Sequence, residues 1–102
     1  MRSIPWVVAL LATSGCTFVH LAPGASQVAV LAAAPSGCAK RGEVDVSVKD
    51  RLGPYARSEA QVRDELETLA RNEAPGLGAD SISPLGPPRD GGQRWAAWRC
   101  KG

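Results

Sequence analysis

Three cysteines, at positions 16, 38 and 100, and one histidine, His20, carry most of the covalent and metal-binding potential of this 102-residue chain. A thiolate can accept an acyl group, attack a carbonyl, pair into a disulfide or bind a soft metal. Metal binding needs ligands that converge. Cys38 and Cys100 lack CxxC-type spacing and His20 stands in a stretch rich in Ala, Pro and Gly, so no metal or other cofactor is expected. No serine or cysteine lies in a nucleophile motif, and His20 is badly placed as a base for anything distant. Glu43 and Asp45 share one face of a strand pattern, a spacing that acid/base chemistry could use and that equally describes the solvated side of a half-buried strand. The glycines of "GLGAD" follow a helical pattern instead of opening one, so their amides are not set to hold a phosphate.

The position of Cys16 gives it a different role. Arg2 precedes nine apolar residues, from Ile4 to Ala12, and small residues follow. A spanning helix needs about 20 apolar residues, and a short run behind a basic residue has the form of a signal-peptide core. "LLATSGC" resembles the bacterial lipobox, in which cleavage falls just before a cysteine that carries diacylglycerol. The usual leucine three residues before the cysteine is replaced by Thr13, which leaves open an ordinary cleavage after Ser14 and a soluble periplasmic product. An exported chain with three cysteines has one left over when two pair, and lipidation accounts for the odd one. The expected address is the envelope, in the outer membrane through a lipid on Cys16 and facing the periplasm, since Thr17 and not aspartate follows the cysteine.

The elements that position the other residues can be read from periodicity. Residues 1–15 form the expected signal peptide and 16–37 a lipid-anchored tether, with "QVAVLA" as one short strand between breaker-rich turns. A small domain is expected over 38–102. Its clearest strand is "GEVDVSVKD", where Val44, Val46 and Val48 alternate with polar residues. "RLGPYA" reads as a loop. Ser58 and Gln61 match a capping box opening a helix, whose Val62, Leu66, Leu69 and Ala70 form one apolar stripe. Glu59–Arg63 and Glu67–Arg71 are spaced as ion pairs on its solvated side, and Pro75 limits the helix to about residues 72–74. "ADSISPLG" is a strand at an edge or ended by Pro84; "PPRDGGQ" is hairpin-loop chemistry; "QRWAAWRC" is the last strand. The fold class is α+β, a β-β-α-β-β domain with one helix on a short mixed sheet. Cys38 precedes the first strong strand and Cys100 ends the last, so one disulfide between them would staple the margins.

"GEVDVSV", "LETLARNEA", "LGAD" and the terminal "WRC" together resemble the small bacterial lipoproteins catalogued as domain of unknown function 4156. More distantly, the architecture is similar to the outer-membrane stress-sensor lipoprotein of the Rcs phosphorelay, although the additional cysteines of that protein have no counterpart here. The resemblance implies an address and an architecture, and no reaction.

Twelve basic against ten acidic residues gives no single-sign field, so nucleic acid is not an expected partner. Alternation places Trp95 with Arg99 on one strand face and Arg94 with Trp98 on the other, and the outer pair is the candidate binding surface. The expected function is non-enzymatic: an envelope lipoprotein presenting a small domain to an envelope protein or peptidoglycan, in envelope structure or stress sensing. The alternative is a small cell-wall hydrolase working through carboxylates.

Overall fold

The structure, a computed structural model, describes residues 20–49, 51–52 and 55–101, without the side chains of 51–52 and 55–56. The expected signal peptide and the lipid-acceptor Cys16 lie outside the described residues. The strands are β1 (Ala29–Val30), β2 (Ala39–Ser47), β3 (Arg51–Leu52), β4 (Tyr55–Ala56), β5 (Ser81–Pro84) and β6 (Gly92–Arg99), with one α-helix, α1 (Glu59–Glu73), between β4 and β5. The main sheet runs β1-β5-β6-β2. β1 is parallel to β5, and β6 is antiparallel to both β5 and β2. β2 and β5, the main-sheet strands before and after the helix, therefore point the same way with β6 inserted between them. The class is α+β with a mixed sheet, as the sequence pattern implied.

Val44 and Val46 point under the helix because the alternation of β2 leaves Glu43, Asp45 and Ser47 outside. Upstream the alternation breaks at a bulge between Lys40 and Gly42. Gly42 has φ 152°, which few side chains accept, although a Cβ there would meet Leu77 only in ordinary contact at 3.5 Å. Helix α1 starts where expected: the Ser58 hydroxyl accepts the Gln61 amide at 3.4 Å. Val62, Leu66 and Ala70 are buried and Leu69 partly so, packing on Ile82, Trp95 and Ala97 of the central strands. Of the two expected helical ion pairs, Arg71–Glu67 is present at 3.9 Å, while Glu59–Arg63 is not among the pairs formed by the described residues.

The helix gives way at Ala74 to a 3-10 turn, Ala74–Leu77, in which Pro75 needs no amide partner. Gly78, at φ 72°, ends it by donating its amide to the Pro75 carbonyl at 3.0 Å.

Two features depart from the sequence reading, and the open alternative for Pro84 is decided. "RLGPYA" is more than a loop: Arg51 pairs with Ala56 and Leu52 with Tyr55, an antiparallel arrangement set by the reversal of the chain between β2 and the helix. β5 is an inner strand, so Pro84 marks its end and not a sheet edge. The stretch read as tether is built into the domain from residue 20 onward. Ala25 and Val28 are buried, the short strand expected in "QVAVLA" is present as β1 and forms a sheet margin, and Asn72 holds the chain by accepting the Ala22 amide at 2.7 Å and donating to the His20 carbonyl at 2.9 Å.

Candidate functional site

Helix α1 covers one face of the sheet. Cross-strand neighbours share a face, so the register lists the occupants of the other one: Lys40 and Ser81 opposite Trp98, Glu43 and Ser83 opposite Ala96, and Asp45 opposite Arg94. Although no helix of the described residues lies over this side, Ser83 is only 1% exposed and Ala96 fully buried. Trp98 explains both. Its indole Nε1–H donates to the Ser83 hydroxyl at 2.9 Å, which draws the ring across the strands and fixes its orientation. The aromatic is half-buried, held by a polar contact, and flanked by charge.

That charge is ordered. Glu43 accepts from Lys40 at 2.7 Å and from Arg94, linking three side chains from two adjacent strands. Lys40 first, then Arg94, holds the Glu43 carboxyl below the usual carboxylate range. Glu43 is thus an anion at neutral pH, suited to orienting cations and unsuited to donating a proton.

Trp95 takes the opposite side. It stands across from Val44 and Pro84, is 4% exposed, and leaves its Nε1 without a partner among the described residues. Arg99 is engaged at the strand end, where its Nε donates to the Lys101 carbonyl at 2.8 Å and lies 3.9 Å from Asp80. Of the four candidate surface residues, the structure brings Arg94 and Trp98 to the open face, and takes Trp95 into the core with Arg99 at its rim.

Cys38 and Cys100 form the disulfide, with α-carbons 4.4 Å apart. It closes the margin of the sheet beside the Ala39–Arg99 pair. Asp80 reinforces the same corner, a role that sequence reasoning missed: its carboxylate accepts the backbone amides of Cys100 (2.9 Å) and Lys101 (2.8 Å) and the Ser81 hydroxyl (3.0 Å). The Cys100 and Lys101 amides, with Ser81 and Arg99 assisting, hold its carboxyl below the usual range. Also unforeseen is Arg57, which grips Glu65 through two hydrogen bonds of 3.0 and 2.5 Å and reaches the Lys49 carbonyl at 2.9 Å. The Glu65 hydrogen bond raises the Arg57 pKa, tying the segment before the helix to the end of β2. Neither role has a local sequence signal, since Arg57 precedes the helix that carries Glu65, eight residues on, and the amides that Asp80 accepts lie 20 and 21 residues away.

Among the described residues, no group of three or more His, Cys, Asp or Glu side chains could hold a metal ion. No helix of the described residues is long and apolar enough to cross a membrane. Comparison with curated proteins and with solved structures gives no match. A family model does match, over residues 19–100, and it covers β1 and the chain leading into it as well as the strands and helix that follow. The chain belongs to the family described as domain of unknown function DUF4156.

Proposed function

We propose that this chain is a non-enzymatic envelope lipoprotein, anchored through Cys16, that uses the open face of its sheet to bind a protein or glycan partner. The observation that carries the binding reading is the Trp98–Ser83 contact beside Arg94: an aromatic pre-oriented on a face that no helix or strand of the described residues covers. Aromatic and arginine side chains supply most of the energy at binding surfaces, and a ring already fixed loses little freedom on binding. A part in envelope structure or stress sensing belongs to the same proposal.

Cys16 and His20, whose carbonyl Asn72 holds, are four Cα–Cα steps apart in the chain. Extended, they span at most about 14 Å, so the anchor would keep the domain close to the bilayer. Two or more acyl chains make such an anchor stable where one would be marginal. Carboxylate hydrolysis, the alternative, calls for a proton donor with a raised pKa in a dry cleft. Glu43 and Asp80 are both moved the other way.

The test is a substitution series in the intact envelope. Trp98→Ala with Arg94→Ala should abolish partner crosslinking, Cys16→Ser should move a folded protein into the soluble fraction, and single alanine replacements of Glu43, Asp45, Glu59, Asp64, Glu65, Glu67 and Asp80 should each leave function in place wherever the fold survives. One acidic replacement that alone abolishes the phenotype in a folded, anchored protein would favour the enzyme.

A further inference from the structure

Among the described residues β2 ends the sheet on one side, with β6 as its only strand neighbour. The Val48 amide donates to the Gly91 carbonyl at 2.7 Å, and Val46 and Val44 stand opposite Gln93 and Trp95. Because backbone groups alternate along a strand, the amides and carbonyls of Val44 and Val46 face β6, and those of Glu43, Asp45 and Ser47 face away. No described residue pairs with these outward groups. They repeat about every 6.8 Å, the spacing of every second residue in a partner strand.

A groove of about 490 Å³ runs along this edge, floored by residues 43–46 and walled by Glu73, Gly76 and Leu77. Gly76 is not required by packing: a Cβ there would meet nothing within 4 Å. Its effect is to keep the wall low. Every charged side chain lining the groove is acidic, namely Glu43, Asp45 and Glu73. Lys40 and Arg94 answer Glu43 from the open face, whereas Asp45 and Glu73 form no ion pair among the described residues.

We propose that the β2 edge takes up an extended polypeptide of alternating basic and small apolar residues, which adds a fifth strand to the sheet. The proposal rests on the binding-module reading and narrows the partner to a polypeptide. The basic side chains would lie on the open face, where Asp45 has no ion pair among the described residues, and the apolar ones between them would enter the groove beside Val44, Val46 and Leu77. A second copy of this chain fits worse: two β2 edges paired about Val44 would set Glu43 against Asp45 at both ends, and like charges placed opposite repel.

The probe is acetyl-(Lys-Val)4-amide, added to the full chain purified in detergent, with a block-order peptide of the same composition and acetyl-(Glu-Val)4-amide as comparisons. Affinity is read by titration and the contact by site-resolved hydrogen exchange. The alternating basic peptide should bind at least tenfold more tightly than either comparison and slow exchange at Glu43, Asp45 and Ser47. Gly76→Leu should keep the thermal midpoint and weaken binding at least tenfold, because the new side chain fills the groove. Asp45→Lys with Glu73→Lys should reverse the preference toward the acidic peptide. Equal binding of the alternating and block peptides, protection at Val30 on the other edge, or protection of residues 43–47 by self-association without peptide would each overturn the proposal. Loss of Trp98-dependent crosslinking in the envelope, with peptide-induced protection retained, would instead defeat the open-face reading.

Discussion

Removing the Cys38–Cys100 bond, by Cys38→Ser with Cys100→Ser, should cost the domain a large share of its stability while leaving its shape intact. The bond joins residues 62 apart in sequence. The chain-entropy relation then gives about 14 cal/mol/K removed from the unfolded ensemble, or about 4 kcal/mol at room temperature. Residual structure in the unfolded chain lowers this, so the expected loss is about 2–4 kcal/mol. A single domain holds about 5–15 kcal/mol in all, and small ones sit at the low end. The native corner has other ties: Asp80 still accepts the amides of residues 100 and 101, and position 39 still pairs with Arg99. The folded geometry should therefore persist. Urea unfolding followed by tryptophan emission checks this, because Trp95 is buried and reports on the core. The variant should show a lower midpoint, an unchanged native emission and a somewhat steeper slope, since an uncrosslinked unfolded chain exposes more surface. A loss under about 1 kcal/mol with the slope unchanged would refute the entropic reasoning. A shifted native emission would show that the bond itself holds the folded geometry.

Leu66→Ala, which empties a fully buried site under the sheet, should cost about 2–5 kcal/mol, whereas Glu67→Ala on the neighbouring position should cost well under 1 kcal/mol; equal midpoints for the two would mean that the helix packs through another face. Asp80→Asn should change the acid profile of stability. The folded pKa of Asp80 lies below its ordinary value of 3.8, so its contribution is complete above that value and is lost as pH falls through the folded pKa. The variant should be less stable than the parent at neutral pH and converge with it in strong acid, and a constant gap across the acid range would contradict the assignment.

Local pattern carried far in this chain. The Val44–Val46 alternation, the Ser58 cap and the 62/66/70 stripe depend only on near neighbours, and each appears where its period places it. The division of Trp95 and Trp98 between faces was likewise legible, because strand alternation separates residues three apart. Which face would be outside was not, since that depends on where the helix lies. The Asp80 clamp reaches 20 and 21 residues along the chain and the Asn72 hold reaches 50 and 52, so neither leaves a local trace. The short strand read in "QVAVLA" is present as β1, whereas the Ala, Pro and Gly before it read as tether; the order of that stretch comes from partners on β5 and α1.

The central claim is that the open sheet face binds a partner in the envelope, and a photoreactive side chain in place of Arg94 tests it most directly. The control is the same group in place of Glu59, which is exposed on the helix side. Irradiation of intact cells should give one discrete adduct from position 94, absent from position 59 and lost when Trp98→Ala is added. Adducts from position 59 alone, or an adduct at position 94 that ignores Trp98, would contradict the account.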